Sequence, residues 1–180
     1  MTRFELLVVV KIQLGDRALF RRCLAIEAAI EGVADAARAA GREVDVETWA
    51  LLGLGAGIDL KLAGQNPEQA GVLAAELLRA EGFPRGLADA ARAARQDPVD
   101  ALPDEALALT AAWSIAPAIL AAADDGGLDA VDVEKIQRAL AREDDGDRAV
   151  RAVEALELEL ADVVRAALAR VITARQDLGR

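Results

Sequence analysis

The chain has 180 residues, enough for one ordinary domain with a real core. It is 54% hydrophobic but only 3% aromatic, so that core must be built from Leu, Val, Ile and Ala, and alanine favours helix. The formal net charge of −10 argues against general nucleic-acid binding, and the absence of histidine excludes Ser-His and Cys-His nucleophile pairs as well as the commonest ligand of catalytic transition metals.

The single cysteine, Cys23, allows no internal disulfide and no cysteine-based zinc site. The N-terminal LLVVV is too short for the apolar region of a signal peptide, and no apolar run is read as approaching the roughly 20 residues of a membrane span. The expectation is a cytoplasmic, single-domain, all-α protein over residues 1–180, with no nucleic-acid or membrane partner.

In chain order, Thr2 and Glu5 have capping-box spacing and predict a first helix over about 3–13, broken at Gly15. Asp16 caps a long helix to Ala40, closed by Gly41. On it Leu19, Cys23, Ile26, Ile30 and Val33 share one face. A third helix over 45–53 leads to a glycine-rich turn. Gly53, Gly55 and Gly57 are not a phosphate loop, because no strand precedes them and no Gly-Lys-Ser/Thr follows.

Asn66-Pro67-Glu68-Gln69 predicts a helix start, with the end of that helix at Gly82. Another helix runs from Pro84 to about Arg95. After a turn-rich loop, a helix over about 104–124 should be kinked or split at Pro117. Asp132 caps a short helix to about Arg142. Acidic loops around Asp124 and Asp144 flank it and are read as solvated. A final helix is predicted over about 148–175.

Several segments share an ordered pattern. Trp49 to Lys61 reads WALLGLGAGIDLK, residues 21–28 read RRCLAIEA, and residues 66–84 read NPEQAGVLAAELLRAEGFP. ARAAR ends at Arg95, and Ala111-Ala112-Trp113 follows. This set resembles the HD-domain phosphohydrolase superfamily, whose members carry W-x-L-x-G-L-L-H-D-I-D in the central motif and K-H-C-L-A-V-E-A before it. The resemblance implies a single HD-like helical bundle.

The resemblance also implies loss of the metal. Arg22 stands at the first histidine ligand, Ala56 and Gly57 at the His-Asp pair, Ala70 at a later histidine, Ala94 and Arg95 at a His-Asn pair, and Trp113 at the last aspartate. Metal affinity depends on ligand number and type, so no metal and no other cofactor is expected. Phosphate-ester hydrolysis of the family's kind then lacks its Lewis acid.

The candidate ligand-binding residues are Arg22, Asp59, Lys61, Arg95 and Trp113, with no catalytic residue assigned. Arg22 could replace the metal's positive charge and clamp a carboxylate or phosphate; the plainer reading pairs it with Asp59 or an acidic helix face, or turns it to solvent. Trp113 is read as filling the volume the metal vacated, with ligand stacking as the other role. Asp59 and Lys61 could pair locally. Arg79, Arg85, Arg92 and Arg95 are either ordinary helix charges or an anion- or partner-docking patch.

The leading expectation is a noncatalytic relative of the HD phosphohydrolases that binds a small molecule or a protein partner. The alternative is a metal-independent lyase, isomerase or cyclase that uses Arg22, Asp59 or Lys61. A third reading is a structural subunit whose pocket is filled by side chains.

Overall fold

A computed structural model describes residues 1–123, 127–143 and 145–175, and within them the protein is all-helical. The predicted N-terminal signals appear as drawn. Helix α1, Arg3–Leu14, opens with the full Thr2/Glu5 capping box and ends at Gly15, whose φ of 58° is left-handed. Helix α2, Arg17–Ala39, is capped by Asp16, whose side chain accepts from the Leu19 amide.

Helix α3, Val46–Ala56, runs through Gly53 and Gly55, and of the three glycines only Gly57 stands in the expected turn, over residues 57–59. The reason is packing. A Cβ on Gly53 would lie 3.0 Å from the Glu27 Cα, so the missing side chain lets α3 lie close against α2. The short helix α4, Leu60–Ala63, follows.

The helix expected from Asn66 is interrupted. Pro67–Gln69 makes one 3-10 turn, and Asn66 forms no side-chain cap. Gly71 then takes φ 83° and α5 begins afresh at Val72–Ala80. Helix α6, Arg85–Gln96, opens after Pro84 as predicted. Helix α7, Asp104–Ala123, contains Pro117 without being split.

This α7 also corrects the reading of apolar runs, since it is long and apolar enough to cross a membrane by length and composition. Its core placement accounts for that character: residues 106 to 116 are all buried. Helix α8, Val133–Leu140, is capped by Asp132. Most of the loop expected at 124–127, and Asp144 in the second acidic loop, lie outside the described residues.

The single C-terminal helix expected over 148–175 is two helices, α9 (Gly146–Ala155) and α10 (Leu160–Thr173). Glu157, at φ 58°, turns the chain between them. Neither Gly nor Pro marks the break. It is made by tertiary packing, because α9 lies on α7 whereas α10 lies on α2. Arg42 takes the Leu156 carbonyl at 2.9 Å and satisfies an acceptor freed by the ended helix.

The bundle is centred on α2 and α7, which touch each other. Helices α3 and α10 flank α2, while α6, α8 and α9 flank α7. Gly32 admits the α10 backbone at Ala167, and Arg170 clamps the same pair through Asp35 and Glu31. Helix α1 packs Leu6, Val10 and Leu14 inward.

Candidate functional site

The segments quoted in the sequence converge in space. Gly57 lies against Cys23, beside Arg22. The Gly71 amide, next to Ala70, donates to Asp59 Oδ2 at 2.8 Å. Arg95 passes close above Gly71, where a Cβ would sit 2.8 Å from the Arg95 Cβ. Gly71 therefore meets two demands, a positive φ and a close approach, that an L side chain would oppose. Arg95 and Arg22 both meet Trp113.

Trp113 is 6% exposed and sits on the buried length of α7. The Arg95 guanidinium carbon is 4.0 Å from its ring centroid and that of Arg22 is 5.6 Å away. Both are cation–π distances. Arg22 Nε and Arg95 Nη1 are buried and make no hydrogen bond. Among the described residues neither arginine forms an ion pair. Burial pushes the Arg95 pKa down; Asp59 opposes that shift, while the like charge of Arg22 adds to it.

Asp59 is wholly buried at the foot of this arrangement. Its Oδ2 accepts from the Gly71 and Ala74 amides at 2.8 and 3.2 Å, whereas Oδ1 has no partner. Burial pushes its pKa up, and the amides and the Arg95 charge only partly offset that. The expected Asp59–Lys61 pair is not formed: Lys61 is exposed, with its Nζ near Gly15. Of the five candidate residues, Arg22 and Arg95 meet Trp113, Asp59 joins Arg95 through Gly71, and Lys61 stands apart.

Beside Trp113 is a half-open recess of about 170 Å³. Arg95 of α6, Thr110, Trp113 and Ser114 of α7, and Asp145 and Arg148 at the start of α9 line it. Arg148 also ties α9 to the end of α6, donating to the carbonyls of Ala94 and Asp97 at 2.9 and 2.6 Å. The Thr110 hydroxyl donates to the Ala106 carbonyl at 2.7 Å and can still accept. Neither Asp59 nor Arg22 lines the recess.

Thr110, Ser114, Asp145 and Arg148 were not foreseen. Thr110 and Ser114 had a readable signal, being polar at i and i+4 on an otherwise apolar helix, beside Trp113. Asp145 and Arg148 had none, because only the packing of α9 on α7 brings them here.

The other arginines of the presumed basic run are occupied. Arg79 and Arg85 pair with Asp89, and Arg92 binds Asp97 bidentately at 3.0 and 2.9 Å. The patch reading is therefore set aside for those three and kept for Arg95.

At the positions that the resemblance would assign to metal ligands, Ala56, Gly57, Ala70 and Trp113 offer no side-chain donor for a cation and Arg22 is itself cationic. These residues do not fit the family's metal. Among the described residues no cluster of three or more Cys, Asp or Glu side chains could hold one elsewhere. The Cys23 thiol is buried, and burial pushes its pKa up to about 12, so the thiolate is scarce at neutral pH. No protein-family model, curated protein or solved structure matches this chain.

Proposed function

We propose that this protein is a noncatalytic small-molecule binder, related to the HD phosphohydrolases, that holds a carboxylate- or phosphate-bearing ligand in the recess beside Trp113. One observation carries the reading: two guanidiniums share one indole, each keeps a buried nitrogen without an acceptor, and neither has a carboxylate partner among the described residues. Buried polar groups are ordinarily hydrogen-bonded, so the Arg95 donor left over at an accessible recess marks a place for an acceptor. An anion would meet Arg95 directly, and Arg22, at the same ring but outside the recess, would add charge at longer range.

The convergence of the five motif segments around Asp59, Arg95 and Trp113 supports the relationship. The recess beside Arg95 supports ligand binding over the purely structural reading, although it takes in neither Arg22 nor Asp59. The alternative of a metal-independent enzyme receives less support. Asp59, its best acid–base candidate, is fully buried and does not line the recess.

The test is titration with inorganic phosphate, small carboxylates and phosphorylated small molecules, followed by the fluorescence of Trp113 in a Trp49→Phe background. A saturable change is expected for at least one class. Arg95→Ala should weaken it at least about tenfold, as loss of a charge-assisted contact does, whereas Lys61→Ala should leave it unchanged. Equal affinity in the Arg95→Ala variant would refute the assignment.

A further inference from the structure

The large hydrophobic side chains that stand exposed among the described residues are Met1, Phe4, Val8 and Ile12, all on or beside α1. Phe4 and Ile12 are 74% and 76% exposed. Four-residue spacing puts Phe4, Val8 and Ile12 in one stripe, nearly opposite the inward Leu6, Val10 and Leu14. A helix apolar on both faces is normally covered on both.

The charge near the stripe is unlike that of the remaining chain. Residues 1–24 hold five basic and two acidic side chains, a net +3, and the rest of the chain carries −13. Arg3 is taken up by Glu27 and Arg22 turns in to Trp113, so the exposed basic side chains of this segment are Lys11, Arg17 and Arg21. Lys11 stands beside Ile12 and over the Phe20 ring at 5.8 Å.

A second unexplained feature has the opposite character. An open groove of about 560 Å³ lies between the end of α2, the start of α10 and the turn before it. Its apolar lining includes Ala36, Ala39, Leu158 and Ala166; Glu157 and Glu159 stand on its rim beside an Asp162–Arg165 pair and Asp35, which Arg170 holds, so among the described residues its unpaired charge comes from the two glutamates. Glu157 holds φ 58°, whereas every other positive φ among the described residues belongs to glycine. A costly backbone conformation thus places a carboxylate on this rim.

We infer that the α1 stripe of one molecule seats in the α2/α10 groove of a second copy of this chain, in a head-to-tail contact. The mode is a helix laid in an apolar groove, with Phe4, Val8 and Ile12 as anchors. Charge complementarity selects the occupant, since the basic surround of the stripe meets the acidic rim. A symmetric α1–α1 dimer would bring two basic ends together, and an anionic bilayer would face the strongly acidic body. A heterologous contact of this kind either closes into a ring or extends as an open chain. The inference is independent of the anion recess.

The test uses two surface variants, Phe4→Glu combined with Ile12→Glu on the stripe, and Ala39→Arg combined with Ala166→Arg in the groove. Each variant's circular dichroism is checked against wild type. In sedimentation velocity, wild type should assemble with rising concentration, with high salt weakening the assembly, and each variant alone should be monomeric. An equimolar mixture should form a dimer and stop there, because one intact stripe meets one intact groove. Wild type that stays monomeric throughout the micromolar range would overturn the inference. So would a mixture that remains monomeric, or a monomeric wild type that sediments with phosphatidylserine vesicles through the stripe.

Discussion

Two buried carboxylates in neighbouring parts of the bundle are treated in opposite ways. Glu27, 3% exposed on α2, accepts two hydrogen bonds from Arg3, at 2.6 Å from Nε and 2.9 Å from Nη2. That bidentate fork ties α1 to α2 with both oxygens engaged. Asp59 is buried more completely, yet its nearby Arg95 leans on Trp113 instead, and backbone amides bond only one of its oxygens. The Glu27 region is a finished structural joint. The Asp59 region keeps a carboxylate oxygen and two guanidinium donors without partners beside a recess, and that unspent polar capacity is what the proposed function rests on.

The largest expected effect tests whether Trp113 organises the second region. Trp113→Ala should destabilise the fold by about 3–5 kcal/mol, since a large buried ring leaves a cavity and two guanidiniums lose their cover. Urea denaturation measures it. A loss below about 1 kcal/mol would mean that the ring is loosely held and that the contrast with the Glu27 joint is overstated.

The paired neutralisations come next. Glu27→Gln breaks the fork and should cost about 1–2 kcal/mol, moderated because Arg3 is half exposed. Asp59→Asn keeps an oxygen for the Gly71 and Ala74 amides and removes a buried charge, so its cost should stay below about 1 kcal/mol. The reverse order would show that Asp59 is the more tightly satisfied of the two.

The smallest effect is the pH dependence of that difference. Burial raises the folded-state pKa of Asp59 above the ordinary carboxylate value of 3.8. In that window the folded state binds more protons than the unfolded one, so stability falls as pH rises. The contribution is fully present below the ordinary value and is lost as pH passes through the raised one. The stability of wild type minus that of Asp59→Asn should therefore decline as pH rises, with a slope no steeper than about 1.4 kcal/mol per pH unit. Taking the difference cancels Glu31, which burial also pushes up. A flat difference would place the Asp59 pKa at its ordinary value.

The sequence alone determined the helical class and most helix starts, because caps and local spacing are short-range. Thr2 with Glu5, Asp16 and Asp132 acted within four residues of themselves. It also marked Arg22, Asp59, Arg95 and Trp113, but only through the motif frame of the resemblance to the HD family. Local signals did not reach the break at Glu157, the passage of α3 through its glycines or the burial of α7. Those follow from which helix each segment meets, and the partners of Leu156 and Gly53 are distant in sequence or set by packing. The Asp59–Lys61 pairing failed for the same reason: two residues apart along the chain became opposite sides of a wall, and the amides of Gly71 and Ala74 took the carboxylate. Only the tertiary structure brought Asp145 and Arg148 to Trp113, because the recess exists only once α6, α7 and α9 are packed together.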